Sequence, residues 1–402
     1  MSEKNKIIPA LFSALLAVFL FFGLHEVGLN IDNVKEQITV GFICDGDESR
    51  PFSENFLRVV DSLEMQYGSD VNVIKRTNIP PEEADHVIEE LVEAKCDIIF
   101  SDSANYSDIV KASAQKHTEV QFCQAFASNA NDEPVLKNYH TFTGEIYQGR
   151  YISGRIAGLK LKELIASGAI TKDQAVIGYV GAYPCAQVVS GYTAFFLGVR
   201  EECPTAVMKV RYTNDWSDYS LENEAAKKLI SEGAVIISQH SDTIGPAVAC
   251  ETSHTDHPVF HIGYNQDMIG VAPNTSIIGT SIDWTPYISS AIEAVMTNKP
   301  IEKVVKGHVH GNDIGAGFEQ DWVRMLDLNY LIAPKDAETV MNECIEEFKK
   351  GSKQVFIGNY TGADPDDPSN TIDLSTGYPE NKNSSSPTFN YILKDVITIE
   401  SD

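Results

Sequence analysis

Six short stretches supply aromatic rings, carboxylates or amides, and each follows a run of β-branched or apolar residues. They are Asp102–Tyr106 (with Ser103), Tyr183-Pro184, Asn214–Asp218 (around Trp216), Gln239–Asp242, Tyr264–Asp267 (with Asn265) and Asp283-Trp284. Aromatic faces grip a flat ring, while carboxylates and amides bond the groups on its edge. Together they suit a planar heterocycle carrying hydroxyls or amines, held in a cleft. Each stretch alone could be ordinary loop capping. Their shared position, at the ends of successive strand-like runs, points to one common cleft.

Other chemistry finds less support. No G-x-G-x-x-G follows the first strand-like run, and Walker loop, H-E-x-x-H and G-x-S-x-G patterns are missing. The first turn, Cys44-Asp45-Gly46-Asp47-Glu48, is acidic and has the wrong sign to cradle phosphate. His254, His257 and His261, with His308 and His310 further on, read as loop residues rather than a metal centre, because nothing makes them converge. Ser190 and His240 could be drawn as nucleophile and base, but no strained elbow presents the serine. The expectation is a binding protein rather than an enzyme, without cofactor or metal.

Composition agrees. Lys and Arg number 31 against 57 Asp and Glu, a formal charge of −26 that repels a nucleic-acid backbone. Hydrophobic residues make up 43% of 402, enough for packed cores in two or three domains. The seven cysteines are odd in number and form no C-x-x-C. They read as small buried hydrophobes, with one disulfide left open outside the cytoplasm.

The elements that must position the strand-end groups follow from periodicity. Strands are expected at Ile38–Cys44, Val71–Ile74, Asp97–Phe100 and Val120–Cys123, with helices between them. Phe56, Val59, Val60 and Leu63 mark one helical face, and Ala84, Val87, Ile88 and Leu91 another. After a long helix over Tyr147–Ser167 the alternation restarts, with strands at Val176–Val180, Val207–Tyr212, Val235–Ser238 and Val259–Gly263. The fold class is therefore α/β: two doubly wound parallel-sheet lobes, with ligand beyond the strand carboxyl ends and between the lobes. Residues 38–145 are read as lobe 1, 146–265 as lobe 2, and 266–350 as a return to lobe 1 and hinge. Crossovers are placed near Phe142–Tyr147, Asn265–Ile277 and His308–Phe318. Residues 351–402 form a C-terminal extension, with a loose stretch over Thr361–Thr388 rich in Asp, Pro, Asn and Ser, and a final strand over Tyr391–Ile399.

At the N-terminus, Lys4 and Lys6 precede an apolar run from Ile7 to Leu24. It is long enough to span a bilayer and lacks an Ala-x-Ala cleavage pattern. Residues 1–29 read as an uncleaved signal-anchor holding the acidic body outside, with a cleaved signal peptide as the alternative, and 30–37 as a linker.

Several segments carry a resemblance. They are Tyr147–Gly154 (YQGRYISG), Ile177–Pro184 (IGYVGAYP), Gly191–Gly198 (GYTAFFLG), Asn214–Asp218, Gly233–Asp242 (GAVIISQHSD) and Ile262–Asp267 (IGYNQD). In this order and spacing the chain resembles the basic-membrane-protein family of ABC-transporter substrate-binding proteins, whose characterised members bind purine nucleosides. The resemblance implies a hinged type I periplasmic-binding-protein fold and a base sandwiched between two aromatics, matched here by Phe52 and Trp216. It implies a ribose-contacting acid pair, matched by Asn265 and Asp267, the first now an amide. The ribose-facing lysine of the nucleoside branch is not found, and Asp283-Trp284 stands near its place; the lipid-attachment cysteine is also missing. The ligand-binding set expected is thus Phe52, Ser103, Tyr183, Trp216, Asp242, Asn265, Asp267 and Trp284. The expected role is extracytoplasmic capture of a purine nucleoside or nucleobase at the cell membrane for ABC permease subunits. A membrane-tethered sensor on the same lobes is the alternative.

Overall fold

In the computed structural model, residues 35–254 and 258–400 are described. The chain opens with β1 (Ile38–Ile43), α1 (Pro51–Leu57), α2 (Val59–Tyr67) and β2 (Val71–Arg76). Then come α3 (Ala84–Glu93), β3 (Ile98–Ser101), α4 (Ser107–Lys116), β4 (Gln121–Ala125) and β5 (Tyr139–Gly144). In α3 the cause is plain: Pro81, Glu82 and Glu83 lead in, and Ala84, Val87, Ile88 and Leu91 are buried along one face.

The second unit is α5 (Tyr147–Ala166), β6 (Val176–Gly181), α6 (Ala186–Glu202), β7 (Val207–Tyr212), α7 (Tyr219–Ser231), β8 (Ile236–His240), α8 (Gly245–Ser253), β9 (Phe260–Tyr264) and β10 (Ser276–Ile282). The chain continues through α9 (Thr285–Met296), α10 (Ile301–Val304), β11 (His308–His310), β12 (Asp313–Ala316), β13 (Val323–Met325) and α11 (Ala337–Lys349). It closes with β14 (Thr361–Ala363), β15 (Thr371–Asp373), β16 (Ile392–Leu393) and β17 (Ile397–Ile399).

Two seven-stranded sheets result, ordered β2-β1-β3-β4-β5-β12-β11 and β17-β7-β6-β8-β9-β10-β13. Pairing is parallel except at β11–β12 and β10–β13. Strand order reverses at β1 in lobe 1 and at β6 in lobe 2, with the next strands, β3 and β8, on the far side. Chain ends at such reversals splay apart and leave a crevice for ligand. Helices α5 and α6 pack backbone to backbone: a Cβ on Gly154 would lie 1.9 Å from the Phe195 carbonyl oxygen. No side chain fits there, which explains the glycine.

Three crossovers join the lobes. The first runs from Gly144 to Tyr147 and the third from Ala316 to Val323. The second differs from expectation. β10 pairs with β9 in the second sheet, so the chain leaves lobe 2 at Ile282–Thr285 and not near Asn265–Ile277. Every residue of β10 is buried, and such a strand needs a partner on each side, here β9 and β13. Residues 266–350 therefore serve both lobes. α9 rests on lobe 1, where Tyr67 donates to the Ser289 carbonyl at 3.2 Å, while β13 rejoins the second sheet. The crossovers are laced together. Glu145 N–H donates to Ala316 O at 2.8 Å, Phe318 N–H to Gln148 Oε1 at 3.0 Å, and Asp283 N–H to Trp322 O at 2.8 Å.

The extension also departs from expectation. Residues expected to be loose fold into a third sheet, β15-β14-β16. Its core is a cluster of Phe356, Tyr378, Phe389 and Tyr391 rings. Its polar side chains close local turns, Asp367 accepting from Ser369 and Asp373 from Ser375. The single final strand is instead two, separated by a turn with Asp395 at φ +65°, and only β17 joins the second sheet. Of the anchor expected over residues 1–29 and the linker over 30–37, residues 1–34 lie outside the described residues. Lys35 just beyond them donates its N–H to Met296 O at 2.9 Å. Among the described residues no helix is long and apolar enough to cross a membrane.

Candidate functional site

The strand ends at the two reversals face each other. Asp242, which follows β8 of lobe 2, accepts the N–H of Phe52 at the start of α1 in lobe 1, 2.7 Å away. Asn55 in the same helix donates to the Ile282 carbonyl at 2.8 Å and accepts from Arg324 at 3.2 Å. These contacts join the lobes across the crevice.

The lobe 1 wall is aromatic. Phe52 lies 5.6 Å from the Phe126 ring and 6.2 Å, edge-on, from Trp284. Trp284 is buried among Phe52, Phe56, Phe126 and Phe142, and its indole N–H has no partner among the described residues. Phe126 takes φ +57°, a conformation a bulky residue adopts only where its surroundings force it. Beside these rings Asp102 is buried and accepts the Asp45 N–H at 3.1 Å and the Ser53 hydroxyl at 3.4 Å. Burial, then the Asp45 charge, push its carboxyl well above the usual range. Ser103 follows it, buried, its carbonyl accepting from Gln124 at 2.8 Å.

The lobe 2 wall is a row of polar aromatics. Tyr183 lies 5.6 Å from Trp216, Trp216 6.4 Å from His240, and His240 4.4 Å from Tyr264. Under the row Arg150 of α5 is fully buried. It donates to the carbonyls of Gly263 (3.2 Å) and Gln239 (3.1 Å) and to the hydroxyls of Tyr179 (2.7 Å) and Ser238 (2.8 Å). The rings of Tyr179, Phe195 and Tyr264 surround its guanidinium, each 5.4 Å away. Burial, then this cation, hold His240 well below its ordinary pKa, so it stays neutral. Burial raises Asp242, against the Phe52 N–H and with the nearby Glu222 carboxylate adding. Glu222, buried on α7, accepts from Ser241 Oγ at 2.7 Å and Thr243 N at 3.2 Å and is raised by burial to about 7.

Of the residues expected to bind ligand, Phe52 and Trp284 meet on lobe 1, and Tyr183, Trp216 and Asp242 meet on lobe 2. Asn265 is buried at the end of β9 with φ +62°, which a short amide side chain tolerates. Asp267, two residues further on, is exposed, and its carboxylate caps the Ile269 N–H of its own turn at 3.0 Å. Phe126, Tyr264, Arg150 and Glu222 join the walls without having been expected there. Tyr264 lies inside one of the strand-end stretches and could have been found that way. Arg150 lies in the YQGRYISG segment that carries the family resemblance, but a charged residue on a helix is ordinarily read as solvated.

The histidines, the serine and the cysteines take structural roles. Ser190 donates to Glu380 at 2.9 Å and does not engage His240. His254 bonds the Val259 carbonyl at 2.9 Å, and His257 lies outside the described residues. Among the described residues no three His, Cys, Asp or Glu could hold a metal. All seven cysteines are free.

A family model described as PnrA-like ABC transporter substrate-binding protein matches residues 38–354. The chain belongs to this family. Family membership makes it a substrate-binding transport protein of the extracytoplasmic class. It is 28% identical, over 81% of its length and 85% of the relative's, to a purine-binding protein of Brucella abortus (strain 2308). It is 30% identical to a Haloferax volcanii protein named for a proposed glucose-binding role in an ABC transporter, over 54% of this chain and 50% of that one. Among solved structures, an ABC transporter solute-binding protein of Conexibacter woesei superposes with TM-score 0.60 at 18% identity, covering 79% of this chain and 98% of that one. That likeness concerns the fold alone.

Proposed function

We propose that the protein captures a purine nucleobase, or a nucleoside built on it, between its lobes and delivers it to ABC permease subunits at the outer face of the cell membrane. The N-terminal apolar segment would tether it there. The observation that carries this reading is the pair of facing walls, Phe52 on one lobe and the Trp216 row on the other, with Asp242 spanning the gap. A flat ring fits between aromatic faces, and carboxyl groups at its edge accept from ring N–H and amino groups. The name of the Brucella relative supports the purine reading over the glucose one, whose relative matches only half its length.

Titration calorimetry of the purified protein with adenine, guanine, hypoxanthine, adenosine, inosine and glucose tests this. Purine binding without glucose binding is expected. Binding of glucose with no heat from any purine would overturn the reading.

A further inference from the structure

The family match ends at residue 354, and the chain beyond that residue is built into both lobes. We infer that residues 355–393 are a strap that ties lobe 1 to lobe 2 beside the hinge and restricts how far the cleft opens. The strap leaves lobe 2 after α11 and rejoins it at β17, which pairs with β7. Between these ends it is fastened to α6. Glu380 accepts the Ser190 hydroxyl at 2.9 Å, and the Arg200 guanidinium lies 5.5 Å from the Tyr360 ring with its Nε 2.9 Å from the phenol oxygen.

The middle of the strap reaches lobe 1. Ser385 donates both its N–H and its hydroxyl to the buried carboxylate of Asp313, each at 2.6 Å, and Ser386 donates to the Ala127 carbonyl at 2.9 Å. Asp313 opens β12, and Ala127 directly follows Phe126 of the aromatic wall. Gly315 is matched to this contact: a Cβ there would lie 3.0 Å from the Ser385 side chain. At the start of the strap Phe356 packs 5.6 Å from Tyr147, a residue of the first crossover. A hinge swings freely only where the crossovers alone join the domains. Here opening must also break charge-assisted bonds that are shielded from water, and those are among the stronger polar contacts.

The consequence is a cleft held in a narrow range of openings, so that less of the binding free energy is used to close it. The strap acts on motion, whichever ligand is bound. Its test uses the full chain with dyes on exposed Glu83 of lobe 1 and Lys227 of lobe 2, and single-molecule energy transfer between them. Ser385→Asp sets a second carboxylate against Asp313 and should lift the strap from lobe 1 alone. A second variant replaces residues 356–392 with a Gly/Ser linker of equal length, keeping β17. Both should show a broader distribution reaching longer distances without ligand. If the freed cleft is closed a tenth of the time, the apparent Kd for any ligand rises about tenfold. Should the linker variant fail to fold, Ser385→Asp decides alone. A distance distribution like the parent's in the folded variants overturns the inference, whatever the ligand proves to be.

Discussion

The two walls of the cleft stand on sheets with matching strand order, yet they are held in place by different forces. In lobe 1 the wall is a hydrophobic cluster: Phe52, Phe126 and Trp284 keep their positions by packing against Phe56 and Phe142. In lobe 2 the wall is a row of polar rings laid over Arg150, whose hydrogen bonds fix the ends of β8 and β9. Packing is non-directional and tolerates small shifts, whereas a buried cation with named acceptors fixes geometry and leaves a costly defect when removed. Lobe 1 thus presents a packed aromatic face, and lobe 2 presents rings whose positions are fixed by hydrogen bonds beneath them.

The strongest way to break this contrast is Trp284→Ala. Removing a large ring from a buried cluster should cost about 3–5 kcal/mol of stability, read from chemical denaturation. A loss below about 1 kcal/mol would mean that packing does not hold the lobe 1 wall. Arg150→Leu keeps volume but orphans the Gly263 and Gln239 carbonyls. It should cost about 3 kcal/mol, since each unsatisfied buried group costs about 1–3. An unchanged melting temperature would show that water replaces the guanidinium at no cost.

Titration sharpens the contrast. Glu222 has a folded pKa of about 7, above the ordinary glutamate value of 4.5. Its contribution to stability is complete below about pH 4.5 and is lost as pH rises through about 7. Between pH 5 and pH 8 the parent should therefore lose about 2–3 kcal/mol that Glu222→Gln does not lose, measured by denaturation at both pH values. Parallel pH profiles for the two proteins would remove Glu222 from the account. The smallest effect is expected at Trp216, which is half-buried. Trp216→Ala should weaken purine binding by about 1–3 kcal/mol, or about 5- to 150-fold, with little change in melting temperature, and Trp216→Phe should keep most of the affinity. A variant that melts early but binds normally would place Trp216 in the core instead.

The amino-acid sequence by itself determined the doubly wound character of both units and the strand ends where chemistry gathers. β-Branched runs and 3.6-residue periodicity are local signals, and the residue after a strand is known once the strand is. Trp216, Asp242 and Trp284 could be named for that reason. The family likeness added Phe52, which precedes no strand end and carries no periodic mark. Only tertiary structure decided what depends on partners far apart in the chain. β10 belongs to the second sheet because β9 and β13 flank it, a pairing no local pattern encodes. Asp267 is exposed although Asn265 two residues before it is buried, and its carboxylate is held by the Ile269 N–H of its own turn. The stretch from Thr361 to Thr388 has the composition of a loose segment, and it is ordered by Phe356, Tyr378 and Phe389 stacking from separate parts of the extension. Arg150 reads as a surface charge until the fold closes four acceptors around it, since burial is a property of the assembled molecule and not of the residue.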